Sequence, residues 1–169
     1  IRPTLFGRVT DYDLILYVAI HAASGKPDAF FPHTHLGIFS ELKLNGRPAC
    51  EMDIYGGYLG EFGVPIGFVS GEDIAVQQAL TSLPWAKSVI VDKRKEMYVS
   101  GRDSERYLAE GRDNLIKTAA QAVKNTADMK PLIVEGPLHF EGTFRTEKLA
   151  HRFNTWNFKR SGATVEWQA

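Results

Sequence analysis

A chain of 169 residues, 44% hydrophobic and 24% charged, can bury a sizeable core and lacks the composition of a disordered protein. Its 20 basic and 20 acidic residues cancel, which removes the electrostatic footprint of a nucleic-acid binder. The lone cysteine, Cys50, excludes an internal disulfide, and no apolar stretch approaches the roughly 20 residues of a membrane span.

Residues 14–20 (LILYVAI) form a continuous apolar run that ends at His21. Such a run reads as a strand of a parallel sheet, buried on both faces. A polar loop with glycine and proline covers residues 22–32. Residues 38–44 (IFSELKL) alternate in part and stop at Asn45-Gly46, a strong tight-turn signal. Beyond Pro48, residues 49–62 read as a helix with glycine along one side, and residues 64–69 as a short buried strand opened by Pro65. Ser70-Gly71-Glu72-Asp73 reads as a turn and helix start, its carboxylates suited to the positive end of the helix dipole. That helix runs to about Leu83, where Pro84 stops it.

Residues 88–91 give a third strand. A long amphipathic helix begins at Ser104, with Leu108, Leu115, Ile116, Ala119, Ala120 and Val123 near helical spacing. Residues 131–135 read as a fourth strand, 146–153 as a short helix and 163–167 as a final alternating strand. Lys93-Arg94-Lys95, the densest basic stretch, reads as a solvated strand end. Strands alternating with helices imply βαβ units. The expected fold is a single α/β domain over residues 1–169, with a mainly parallel sheet and helices on both faces.

Three histidines, His21, His33 and His35, fall within fifteen residues. Histidine serves both as metal ligand and as general base. Ligands of open α/β sheets bind outside the carboxyl ends of the strands, which is where His21 is expected. His33-Thr34-His35 reads either as an H-x-H metal pair or as one functional histidine beside an incidental one; the second reading is preferred. Glu51, taken alone, is a first-turn helix carboxylate, and Asp53 competes with it for any role. Cys50 reads as a small buried residue; Trp85, Trp156 and Trp167 read as core or interface. The chain has no dinucleotide fingerprint, P-loop or G-x-S-x-G elbow.

The pieces Ile20-His21-Ala22, His33-Thr34, Asn45-Gly46-Arg47-Pro48-Ala49-Cys50-Glu51, Gly60, Gly63-Val64-Pro65 and Gly71-Glu72-Asp73 resemble, in order and spacing, the D-aminopeptidase family of zinc metallopeptidases. The likeness is specific from His21 to Asp73 and weaker beyond. It implies that His21 and Glu51 are zinc ligands and that His33 is the catalytic base or nucleophile, with His35 as the alternative. It implies two zinc ions per complete site, hydrolysis of an amide or peptide bond in a peptide or small amide substrate, and an oligomer. The family's other ligands, in D-x-E-G and D-S-H segments, have no counterpart in this sequence. The fold and site are therefore expected to need an amino-terminal segment or a second chain, which the start at Ile1 rather than Met suits. No signal peptide is visible, and the expected setting is cytoplasmic, without nucleic acid or membrane. Cys50, Asp53 and Tyr55 depart from the family's Gly, Gly and Asn, a crowding that keeps a non-catalytic scaffold of the same fold as the alternative.

Overall fold

The computed structural model describes residues 11–91, 102–152 and 158–168. In chain order its elements are β1 (Ile15–Ile20), β2 (Phe39–Leu44), β3 (Arg47–Pro48), α1 (Glu51–Gly60), β4 (Ile66–Gly71), α2 (Asp73–Ser82), β5 (Lys87–Ile90), α3 (Arg102–Lys124), β6 (His139–Phe144), α4 (Glu147–His151), β7 (Lys159–Ser161) and β8 (Thr164–Gln168). The Lys93-Arg94-Lys95 stretch, Trp156 and the end of the 146–153 helix lie outside the described residues.

β1, β4 and β5 pair in parallel in the order β1-β4-β5. All six residues of the central strand β4 are buried, as a strand covered on both faces requires. On one side Ile66 and Val69 join Met52 and Leu59 of α1 and Ala75, Val76 and Ala79 of α2. On the other, Phe68 and Val89 pack with Ala122 of α3 and with Met129. This sheet carries helices on both faces, as expected.

Three expectations about strands need correction. The run 14–20 is not buried on both faces: β1 borders the described sheet, and Leu16 and Val18 are exposed. The sheet content is also not mainly parallel. A second sheet of five strands, in the order β3-β2-β6-β8-β7, is antiparallel throughout. Asn45 and Gly46 both take positive φ (51° and 77°) and fold β2 back onto β3, the geometry of a two-residue hairpin turn. Gly162, at φ 58°, turns β7 into β8.

Residues 131–135 form no strand. Their apolar side chains are instead covered by the glycine face of α1. A Cβ at Gly57 would lie 2.8 Å from Val134 Cγ2, and one at Gly60 would collide with the Leu132 carbonyl. The glycines thus have a packing reason: they let an extended segment lie against the helix. Behind it, Leu42, Leu44 and Ala49 form a third cluster with Ile54, Val134 and Phe140, so the antiparallel sheet backs α1.

Candidate active site

His21 follows β1 directly, at the carboxyl end of the parallel sheet. Pairing with β4 shifts register after Ile15, and a gap between Tyr17 and Ile20 interrupts it a second time. In the gap Ala19 takes φ 60°, and its N–H is held by Ser70 Oγ at 3.2 Å. An irregularity of this kind at a strand end re-aims the residues that follow it. Ala22, Ala23 and Ser24 are then buried, which anchors the start of the loop.

The loop returns to His21 at His33. The two imidazoles lie 4.6 Å apart between centroids, and Phe31 flanks both, at 5.8 Å from His21 and 4.9 Å from His33. The His33 backbone N–H donates to the Ala22 carbonyl at 3.0 Å. His33 Nδ1 lies 2.8 Å from the Phe31 carbonyl oxygen. A carbonyl can only accept, so Nδ1 carries the proton, and in the neutral ring Nε2 holds the lone pair.

Thr34 pins the loop from beneath. It is fully buried; its N–H donates to Ser24 Oγ (2.9 Å), its Oγ1 accepts from the Ser24 N–H (3.1 Å) and donates to the Ala49 carbonyl (2.8 Å). His33 and His35 consequently leave this anchor in different directions. The Leu36 N–H closes on the Thr34 carbonyl at 2.7 Å around His35 at φ 59°, a tight three-residue turn.

His35 meets α1. Its N–H donates to Glu51 Oε1 at 2.6 Å, and its Nδ1 lies 3.1 Å from the Tyr55 hydroxyl. Glu51 and Tyr55 are one helical turn apart and share a face. Tyr17 of β1 stacks on Tyr55 at 6.3 Å. Burial, then Tyr55 and Glu51, push the Tyr17 hydroxyl well above its ordinary pKa; burial and Glu51 push Tyr55 up. Both stay protonated at neutral pH and can donate.

Asp53 does not compete with Glu51. Its carboxylate accepts from the Cys50 N–H (2.9 Å) and from Ser82 Oγ (2.7 Å), closing the first turn of α1 and tying it to α2. Cys50 is buried, and burial with Asp53 beside it raises its thiol pKa strongly. Two adjoining cavities of about 420 and 390 Å³ run past Arg47, Asp53 and Ser82; neither is lined by His21, His33 or Glu51.

The donors suit zinc in kind: an imidazole nitrogen and a carboxylate oxygen. They do not suffice in number. Zinc takes about four ligands, and among the described residues no group of three or more His, Cys, Asp or Glu is placed to hold an ion.

Sequence reasoning passed over Ser24 and Thr34, whose types are common in any loop, and took Glu72 for a helix-start carboxylate. Glu72 is 2% exposed and accepts the Phe30 N–H. Two signals marked it: it follows the most buried strand directly, and it lies in the family-like Gly71-Glu72-Asp73 piece.

Comparison with known proteins gave two matches. The family profile described as D-aminopeptidase matches residues 5–169. Among solved structures, the chain is similar to the Zn-dependent D-aminopeptidase DppA from Bacillus subtilis, described as a self-compartmentalizing protease, with a TM-score of 0.80 at 20% identity. That alignment covers 98% of this chain and 61% of the other, so the chain spans less than two thirds of that protein's length. No curated protein matches the sequence.

Proposed function

The chain belongs to the D-aminopeptidase family, and from that premise we propose that it carries part of the active site of a zinc-dependent hydrolase of amide or peptide bonds. The observation that carries the reading is the pairing of His33 with His21 at the carboxyl end of β1, with the His33 tautomer held by the Phe31 carbonyl. In this reading His21 and Glu51 are metal ligands and His33 is the catalytic group.

When bound, zinc supplies Lewis-acid polarisation of the substrate carbonyl. His33 takes and returns a proton at Nε2, the nitrogen left basic by the Nδ1 hydrogen bond. The His35 N–H on Oε1 sets the orientation of the Glu51 carboxylate, as partners of metal-ligating carboxylates do. His35 is engaged through its backbone and through Tyr55, which favours His33 over it for the proton-transfer role.

Two zinc ions per complete site, as the family resemblance implies, need more ligands than His21 and Glu51. In this proposal the remaining ones are assigned to an amino-terminal segment or to a second chain. An oligomer is proposed by likeness to the self-compartmentalizing neighbour. The substrate is a peptide or small amide in the cytoplasm, met by the single α/β unit of residues 1–169. A second reading, a non-catalytic scaffold, is favoured by one observation: Tyr55, in the family's Asn position, fills space beside His35.

The test uses the assembled, full-length protein. Turnover of short peptide amides in D and L forms should vanish on chelation and return with zinc. Zinc-free protein with undiminished turnover would contradict the zinc dependence of the proposed hydrolase; zinc-loaded protein with none would favour the scaffold.

A further inference from the structure

We propose that Glu72 is a positioning residue for the histidine loop, fixing the main chain from which His33 is presented. The inference rests on the functional reading of His33 and adds to it a residue on a different element. Glu72 follows β4, beside the end of β1 that leads into His21, because Ile20 and Gly71 are paired across the two strands.

The ordinary role for a carboxylate at this place is to cap a helix. Glu72 is the N-cap residue of α2, yet its side chain makes no capping hydrogen bond. It turns instead to the loop, where Oε2 accepts the Phe30 N–H. The next residue, Phe31, packs its ring on both histidines and holds His33 Nδ1 with its carbonyl. Glu72 thereby grips the chain one residue before the group that sets the His33 tautomer and tilt. At the far end Thr34 is fixed by Ser24 and Ala49. The segment carrying His33 is thus clamped on both sides, by Glu72 before it and Thr34 after it.

The arrangement is poor as a stabilising device. Glu72 is 2% exposed, and its Oε1 is buried with no hydrogen-bond partner among the described residues. Burying a carboxylate with one oxygen unsatisfied is costly, and apolar replacements of buried charges are often neutral or stabilising. A residue that costs stability while holding a site in place is the usual sign of function outweighing fold.

The experiment compares Glu72→Leu and Glu72→Gln with the parent in the zinc-loaded assembly. For Glu72→Leu, amide exchange at Phe30 should speed up about tenfold or more, as expected for a lost charge-assisted hydrogen bond. Its kcat should fall about 10–100-fold with KM and zinc content unchanged, since small misplacements of a catalytic group carry costs of that order. Its melting temperature should not drop. Glu72→Gln keeps an acceptor for the Phe30 N–H and should recover part of both protection and kcat. Unchanged exchange at Phe30, or faster exchange with parental kcat, overturns the proposal. So does a lowered melting temperature with kcat intact, which is what a purely structural residue would give. If the parent shows no zinc-dependent turnover, the functional reading fails by itself. The Phe30 exchange and the His33 Nδ1–H resonance then still decide whether Glu72 orders the loop, and an unmoved resonance overturns it.

Discussion

The two sheets are built by opposite rules. The three-stranded parallel sheet is enclosed at its centre: every residue of β4 is buried, with helices on both faces. The five-stranded antiparallel sheet is open: all of β7 and most of β8 are solvent-accessible, and Trp167 lies 43% exposed over Phe140. The loop carrying His33 and His35, to which catalysis is assigned only by proposal, hangs from the enclosed sheet, where an anchored strand end can hold a side chain within a narrow range. The open sheet bears on the site only indirectly, by backing α1 and hence Glu51. The lesson is that precision in this molecule is concentrated where burial is highest.

The largest effect that can break this contrast is on stability. Phe68→Ala removes a fully buried ring between β4 and α3 and should cost about 3–5 kcal/mol, measured by denaturant unfolding. Phe140→Ala removes a half-buried ring and its stacking with Trp167, and should cost about 1–2 kcal/mol. Equal losses would show that the two sheets contribute alike. A smaller effect sharpens the contrast at the loop. Thr34→Val keeps the volume but leaves the Ser24 N–H and the Ala49 carbonyl without partners; it should cost about 1–3 kcal/mol, with the same assay as the check. Smallest is a non-reaction. Because burial and Asp53 raise the Cys50 pKa, the thiol stays neutral across the physiological range. The thiolate is the reactive form, so Cys50 should resist alkylation in the folded protein at pH 8 and react once unfolded. Rapid labelling of native protein would show that α1 starts in a looser setting than described.

The enclosed half was the more legible one. Apolar runs ending at punctuation placed β1, β4, β5 and the helices within a few residues; the fully buried β4 writes its burial into consecutive side chains, whereas β1 and β5 are apolar runs only partly covered. In the open half β2, its Asn45-Gly46 turn and β8 were legible, but β6 and β7 were not. β6 (HFEGTF) has a glycine and three half-buried charged or polar positions, so its period-two signal is weak; β7 has three exposed residues and no apolar face at all. The segment 131–135 shows the converse error. Its apolar pattern was real, but the partner was a glycine-lined helix rather than a neighbouring strand, a tertiary fact that no local window contains. In the site, histidines and Glu51 could be singled out by residue type and family likeness. The separation of His33 from His35 depends on the buried Thr34 between them and on a positive φ at His35, neither of which residue type announces. Asp53 and Glu72 exchanged significance for the same reason: one carboxylate is spent on Cys50 and Ser82, the other is turned into the loop.

The central claim is that His33 does chemistry while His21 and Glu51 hold metal. The most direct measurement is zinc per chain, by elemental analysis, beside amide turnover for His33→Ala, His21→Ala and Glu51→Ala in the assembled protein. Removing a proton-transfer group should leave zinc nearly intact and lower turnover about 10²–10⁴-fold. Removing either ligand should lose zinc and turnover together, since a ligand supplies part of the ion's binding free energy. Parental turnover in His33→Ala, or full zinc in both His21→Ala and Glu51→Ala, would contradict the account.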